Sequence, residues 1–356
     1  MNKIREIQAK LQEKELDAVL VTDEKNQRYA AGFPFTDGAV IVTRENAYLL
    51  TDSRYVEAAE KTVPDFVQVL LFDNSNKLLS RMKEVLEKEK VEKLGAEEEK
   101  LSYREYIHYE KLLGRKLLPA QAVFTELRPS KSAEEQEFLR AAQKISEKAL
   151  DEVLGIIRPG ISEREIAAEL NYRMMKHGAE GNSFDTISIT GTKTSMPHGV
   201  PGDEKVKDGD FVTMDFGCLY GGYCSDMTRT VAVGHVTDEM RKVYGIVLEA
   251  QLAGIAHARA GIPGCEIDKA ARDVIDKAGY GAYFGHSFGH SLGLDIHEPP
   301  FASPTGKAIM PVGCAVSAEP GIYLPGRFGV RIEDVLILHE DGCEDIASAP
   351  KELIIL

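Results

Sequence analysis

The C-terminal half of this chain repeats itself, weakly but in order. Arg158-Pro-Gly-Ile-Ser-Glu-Arg-Glu-Ile166 matches Arg259-Ala-Gly-Ile-Pro-Gly-Cys-Glu-Ile267, in each case helix, Gly turn, helix. Further on, Gly209-Asp-Phe-Val-Thr-Met-Asp-Phe-Gly217 matches Gly313-Cys-Ala-Val-Ser-Ala-Glu-Pro-Gly321, which aligns Asp215 with Glu319. Each repeat offers one more acid on its next apolar segment, Asp226 and Glu333. Chance explains one matching segment more easily than two in the same order with acids in register. The repeat constrains the fold to two α/β halves that meet at a pseudo-two-fold interface, each supplying a strand pair with two acids.

Alternation in Asp210–Gly217 puts Phe211, Thr213 and Asp215 on one strand face and Val212, Met214 and Phe216 on the other. A charge ending a buried strand is expensive unless it is paired or metal-bound. For Asp215 taken alone, an arginine partner explains it as well as a metal does. Asp-Phe-Gly also matches a kinase metal motif, but no HRD catalytic loop or Gly-rich ATP loop accompanies it. Gly285-His-Ser-Phe-Gly-His-Ser-Leu-Gly-Leu-Asp-Ile-His-Glu-Pro-Pro300 adds three histidines within twelve residues. His297-Glu-Pro-Pro is not an HExxH zinc helix, because the prolines forbid that helix and the second histidine is missing.

Asp215, Asp226, His290, Glu319 and Glu333 thus form a candidate ligand set of four carboxylates and one imidazole. Without a thiolate, the set suits Mn²⁺, Co²⁺, Fe²⁺ or Zn²⁺. Four carboxylates round one M²⁺ leave a costly buried excess of negative charge, whereas two ions balance them and can hold an attacking hydroxide.

The chain's 356 residues exceed what one core usually organises, so two domains are expected, 1–127 and 128–356. Residues 1 to about 125 alternate strand and helix: Asp17–Thr22, Gly38–Thr43 and Val67–Phe72 are β-branched-rich, and Ser75–Lys90 is helical. Leu127-Arg-Pro-Ser-Lys-Ser132 is the junction, and Ser132 with Glu135 opens a helix whose Phe138, Ala142, Ile145 and Ala149 share a face. A net charge of −14 excludes a nucleic-acid partner, and no apolar run approaches membrane-spanning length. The N-terminus lacks the apolar core of a signal peptide. Five cysteines, Cys218, Cys224, Cys265, Cys314 and Cys343, form no CxxC pair and read as reduced residues of a cytoplasmic protein.

The ordered set Pro197-His198-Gly199, Met214-Asp-Phe-Gly217, Ser225-Asp-Met-Thr-Arg229, His290 to His297, Glu319-Pro-Gly321 and Arg331-Ile-Glu-Asp334 resembles the pita-bread metallopeptidases. Within them the likeness is greatest to aminopeptidase P and prolidase, and it covers essentially the whole chain, including a creatinase-like N-terminal domain. The resemblance implies an α/β creatinase-like domain followed by an α+β pita-bread domain with its internal repeat. It implies two divalent ions, Mn²⁺ first among them, with Asp215 on one ion, His290 and Glu319 on the other, and Asp226 and Glu333 bridging. Glu319 would also handle the proton of the attacking hydroxide. His198 and His297 would orient the scissile carbonyl and stabilise the oxyanion. His286 and Tyr323 would belong to the substrate pocket, and Arg331 would anchor Asp215 or a substrate carboxylate.

The implied activity is removal of an N-terminal residue preceding proline, from short peptides with proline second. A homodimer is expected, with the N-terminal domain serving as lid or dimer arm. Some prolidases carry an Arg after the His-Glu-x-Pro segment for the dipeptide carboxylate. Here Phe301-Ala-Ser-Pro-Thr-Gly306 stands there, leaving Arg327, Arg331 and Lys307 as candidate cations. The alternatives are a strict dipeptidase, a methionine-aminopeptidase-like activity, a metal-free creatinase-like amidinohydrolase, and a pseudo-peptidase that only binds.

Overall fold

The structure is a computed structural model describing residues 3–356. The chain divides into two compact units, one ending at Arg128 and the other running Pro129–Leu356.

In the first unit six strands make one sheet: β1 (Ala18–Val21), β2 (Gly38–Thr43), β3 (Ala47–Thr51), β4 (Val67–Leu71), β5 (Leu94–Ala96) and β6 (Leu117–Pro119). Their order is β4-β3-β2-β1-β5-β6, antiparallel in the β1–β2–β3 centre and parallel towards both edges. Every residue of β1 and β3 is buried, which is why these strands read as continuous apolar runs without alternation. The expected helix Ser75–Lys90 is shorter, Leu78–Lys88. Asp73 Oδ1 accepts the backbone N–H groups of Ser75 and Asn76, both at 2.8 Å, and this turn delays the helix start.

In the second unit the repeat is a structural one. The first half has helices Ala133–Leu154 and Glu163–Lys176, then β7 (Gly181–Asn182), β8 (Ile187–Thr190), β9 (Phe211–Phe216), β10 (Cys218–Tyr220), β11 (Tyr223–Cys224) and β12 (Met227–Ala232). The second half has helices Asp238–His257 and Gly264–Lys277, then β13 (Gly289–Ser291), β14 (Glu298–Ala302), β15 (Ala315–Ala318), β16 (Gly321–Leu324), β17 (Phe328–Arg331), β18 (Asp334–Leu338) and β19 (Cys343–Asp345). Antiparallel β8-β9-β12 in one half has its counterpart in antiparallel β13-β15-β18 in the other. The Ser132–Glu135 capping box is formed at the start of helix Ala133–Leu154. Ala142, Ile145 and Ala149 of that helix enter the first-half core, while Phe138 stays half-buried and stacks on Tyr223 at 5.6 Å.

Strand β9 separates two cores. Val212, Met214 and Phe216 pack with the first pair of helices, and Phe211 packs with the second pair. On that second face Thr213 shares a hydroxyl hydrogen bond of 3.0 Å with Thr230 of β12, so a buried polar position is satisfied without charge. The halves join at a bridge between Thr228 and Glu333, whose N–H donates to the Thr228 carbonyl at 3.1 Å. Fully buried Arg229 closes the seam. It donates to the Thr228 and Glu333 carbonyls at 2.9 and 2.7 Å and pairs with Asp334 at 2.7 Å. Removing Asp334 would leave the buried Arg229 charge without its carboxylate partner, whereas Asp334 also pairs with Lys351 at 2.7 Å.

Candidate metal centre

All five residues of the candidate ligand set converge at the seam between the halves. Asp215 is the penultimate residue of β9, Asp226 leads into β12, Glu319 follows β15 and Glu333 leads into β18. His290 sits on β13, where Gly289 is held so close to β15 that an added Cβ would lie 1.9 Å from the Ser317 carbonyl oxygen. That close approach lets the His290 N–H donate to Ser317 Oγ at 3.0 Å, and Ser317 Oγ in turn donates to Glu319 Oε1 at 3.0 Å. Nδ1 of His290 lies 3.2 Å from the Ser291 carbonyl oxygen, so that nitrogen carries the proton. The lone pair of Nε2 is then left facing Glu319 Oε1 at 3.4 Å and Asp226 Oδ2 at 3.5 Å. Ligand atoms of Asp226, His290 and Glu333 all lie within 4.8 Å of one another.

Outer partners fix the acids. Thr228 Oγ1 donates to Glu333 Oε2 at 2.6 Å and accepts from Arg331 Nε at 3.1 Å. Arg331 Nη2 pairs with Asp215 Oδ2 at 2.5 Å, and Nη1 donates to the Tyr323 hydroxyl at 2.8 Å. The Tyr323 hydroxyl lies 2.9 Å from His286 Nε2, whose Nδ1 is 2.9 Å from the Ser287 carbonyl oxygen. The imidazole must donate from Nδ1, so Tyr323 donates to Nε2 and His286 stays neutral. Burial holds its pKa down at about 4, with the Arg331 charge acting in the same direction.

Charge balance decides what this cluster lacks. Four carboxylates face one guanidinium, which leaves three negative charges when all are ionised. Burial drives Asp226 and Glu333 well above the usual carboxylate range, and the neighbouring acids push the same way. Burial also raises Glu319, to about 8, against the opposing pull of Arg331. The His290 imidazole is pressed down to about 4 by burial, so it stands as a neutral ligand. Asp215 Oδ1 is buried with no hydrogen-bond partner. The arginine explanation for Asp215 therefore satisfies one carboxylate oxygen and leaves the other unexplained. Divalent cations fit on each count: they supply the missing positive charge, take oxygen and imidazole donors, and give Oδ1 a partner.

A cavity of about 570 Å³ opens onto the cluster. His198, His286, His290 and His297 line it with the four acids and Arg331. His198 and His297 are exposed there, and the His297 ring meets the His290 ring edge-on at 4.3 Å. Phe184, Ile187, Val200, Ile296 and Phe301 supply apolar wall. Tyr323 is not among the lining residues; it stands behind His286, joining that ring to Arg331. Of the candidate cations for a substrate carboxylate, only Arg331 lines the cavity, and Asp215 already occupies it. Arg327 is paired with Glu239, and Lys307 is exposed elsewhere. Residues 298–302 form β14, so the His297-Glu-Pro-Pro segment is indeed no helix.

Sequence reasoning passed over Thr228 and Ser317, the two hydroxyls that hold Glu333 and Glu319. Thr228 stands two residues beyond Asp226 and Ser317 two before Glu319, on the same face by alternation. That signal was available, but it names a face and not a partner.

The sequence profile of metallopeptidase family M24 matches residues 137–340, and that of the creatinase/prolidase N-terminal domain matches residues 3–130. An Xaa-Pro dipeptidase of Pyrococcus furiosus is 35% identical, over 97% of both chains. The solved structure of an Xaa-Pro dipeptidase from Bacillus anthracis superposes with a TM-score of 0.95 at 40% identity, covering 99% of both chains. That of an X-Pro aminopeptidase from Thermotoga maritima gives 0.92 at 36% identity, covering 96% of this chain and 98% of that one.

Proposed function

The chain belongs to metallopeptidase family M24, with a creatinase N-terminal domain and a pita-bread catalytic domain, and from that premise we propose that it removes an N-terminal residue preceding proline, as an aminopeptidase P does. It is a metallo-exopeptidase. In this reading residues 1–127 form the creatinase-like domain and 128–356 the catalytic one. The protein acts on short peptides as a cytoplasmic homodimer.

Asp215 would hold one ion, His290 and Glu319 the other, and Asp226 and Glu333 both. Two divalent ions, Mn²⁺ foremost, supply Lewis acidity and an ionised water at neutral pH when bound. Around them the protein's own groups carry the remaining work. Glu319, steadied by Ser317, takes and returns the proton of the attacking water. His198 and His297, exposed on the cavity wall, donate to the scissile carbonyl as it gains charge. His286 is kept neutral by Tyr323 and shapes the pocket, while Arg331 holds Asp215.

The observation that carries the choice between aminopeptidase and dipeptidase is the missing free cation. A strict dipeptidase must read a carboxylate directly beside proline, and a buried carboxylate needs a cationic partner. Among the described residues Arg331 is the only Lys or Arg lining the cavity, and it is committed to Asp215. Phe301, where some prolidases have their arginine, offers an apolar surface to a longer chain instead. We expect kcat/KM on Ala-Pro-Ala to equal or exceed that on Ala-Pro. A preference for the dipeptide by more than about tenfold, worth about 1.4 kcal/mol of transition-state binding, would make the protein a prolidase. Metal analysis of the same preparation separates both from a binding-only relative, which would hold no pair of ions.

A further inference from the structure

His198 is held differently from the other three histidines of the cavity. His286 and His290 each rest Nδ1 against a backbone carbonyl, and the His297 ring lies edge-on to that of His290. The exposed His198 ring makes no hydrogen bond among the described residues. Its place is therefore set by the backbone beneath it. That backbone belongs to the connection between β8 and β9, where a short 3₁₀ turn (Gly191–Ser195) gives way to irregular chain.

Glu163, the first residue of helix Glu163–Lys176, grips this connection at both ends. Its side chain is wholly buried; Oε1 accepts the Thr190 N–H at 2.8 Å, and Oε2 accepts the Gly202 N–H at 2.8 Å. Oε2 also meets Lys193 Nζ, inside the connection, at 2.6 Å. One carboxylate thus joins residue 190 to residue 202 and leaves His198 on the span between them. A buried carboxylate is costly unless it is paired, and an ammonium with two N–H groups satisfies this one. From the other half, β17 steadies the span with the Gly329 N–H on Thr194 Oγ1 at 2.9 Å and Arg331 Nη1 on the Pro197 carbonyl at 3.3 Å.

The second half supplies an internal control. By the sequence repeat, Glu163 corresponds to Gly264. The backbone bonds are matched: Glu163 and Arg164 donate N–H groups to the Glu204 and Gly202 carbonyls at 3.0 and 3.1 Å. Gly264 and Cys265 donate theirs to the Ala308 and Gly306 carbonyls at 3.2 and 2.8 Å. A Cβ on Gly264 would lie 2.1 Å from the Phe301 carbonyl oxygen, so no side-chain grip can form there. The connection that Gly264 faces, 303–314, supplies no lining residue of the cavity, whereas the one that Glu163 faces supplies His198. Backbone bonds alone suffice to dock such a connection. The carboxylate is added where a histidine has to be presented.

We propose that Glu163 is a positioning residue for His198: its grip on residues 190, 193 and 202 holds the imidazole ready to meet the scissile carbonyl. The proposal rests on reading His198 as a donor to that carbonyl. Glu163 touches neither substrate nor ion and acts only through the loop. A displacement of about 1 Å at a reacting group costs up to about 10²-fold in rate.

The test is a double-mutant cycle on metal-loaded enzyme with Ala-Pro-Ala, or with whichever peptide the wild type cleaves best. Glu163→Gln keeps the shape and removes the charge. It should lower kcat by roughly 10–10²-fold with KM and metal content unchanged, because the donor acts only in the transition state. In the His198→Ala background the same change should cost less than about twofold, since no ring is left to position. Backbone amides of residues 191–202 should exchange with solvent about tenfold faster or more in Glu163→Gln. A purely structural Glu163 would lower Tm and leave kcat per metal-loaded site untouched. The proposal is overturned if Glu163→Gln keeps kcat within about twofold of wild type, slows His198→Ala as much as it slows wild type, or loses metal. Should Glu163→Gln not fold, Lys193→Met replaces it in the cycle. A kcat loss of about threefold or more that vanishes in His198→Ala then supports the proposal, and any other result overturns it. If His198→Ala keeps full kcat, the donor reading fails on its own. Amide exchange then decides whether Glu163 holds the loop, and unchanged exchange ends the proposal.

Discussion

The two halves of the catalytic unit share a strand plan and divide the chemistry unequally. With Val212 matched to Val316, Thr190 faces the one as Ser291 faces the other. One step back along each strand, the first half has Ile189 where the second has His290. The first half therefore contributes carboxylates alone, and the second contributes two carboxylates and the imidazole. Arg331, the permanent cation, also comes from the second half, and it crosses the seam to Asp215 of the first. Duplicated backbone supplied the scaffold, and single side-chain differences made the two sides of the site distinct.

The largest effects should come where the halves are equivalent. Asp226→Ala and Glu333→Ala should each empty the site of both ions and abolish turnover, since either change unbalances a shared position. Metal content by elemental analysis, read beside activity, checks this; a variant with both ions and full activity would end the idea of matched bridges.

Where the halves differ, the losses should separate metal from rate. His290→Ala should lose metal and activity together. His198→Ala and His297→Ala should keep the ions and lose kcat by roughly 10²–10³-fold, the scale of an oxyanion donor. Metal loss in either of the latter, or retention in the former, contradicts the assignment.

A smaller effect is expected on stability against pH. Glu319, raised to about 8, binds more protons folded than unfolded, so its contribution falls as pH rises towards 8. Asp226 and Glu333 act in the same sense. His286 and His290, held down at about 4, oppose them only below their unfolded pKa of 6.5. The metal-free protein should therefore lose Tm between about pH 6.5 and 8, and saturating Mn²⁺ should remove the slope. A flat metal-free profile would show that the acids are not held protonated.

The smallest difference lies at matching helix starts. Ser162 and Glu165 form a capping box on helix Glu163–Lys176, whereas Pro263 at the corresponding start of Gly264–Lys277 gives no side-chain cap. Ser162→Ala should lower the unfolding free energy by about 1 kcal/mol, measured by urea titration, with kcat unchanged.

Much of this was legible before any coordinates, for reasons that differ by residue. The acids stood out because a charge in an apolar strand needs a partner, and the repeat put them in register. The alternation of Phe211–Phe216 gave its two faces, though not that they belong to separate cores. Thr228 and Ser317 stayed hidden because a hydroxyl is ordinary in a strand, and only the distant partner makes it matter. Only the family resemblance puts Tyr323 in the pocket, and its hydroxyl joins His286 to Arg331 behind the cavity wall.

The seam between Thr228 and Glu333 joins residues 105 positions apart. Closing so long a loop has to precede any reward from the contacts it makes, so such pairings form late in folding. Each half can collapse around its own helices while the ligand set is still scattered. Cation uptake by a refolding chain would then report the final docking of the halves, on a slower clock than its helical signal.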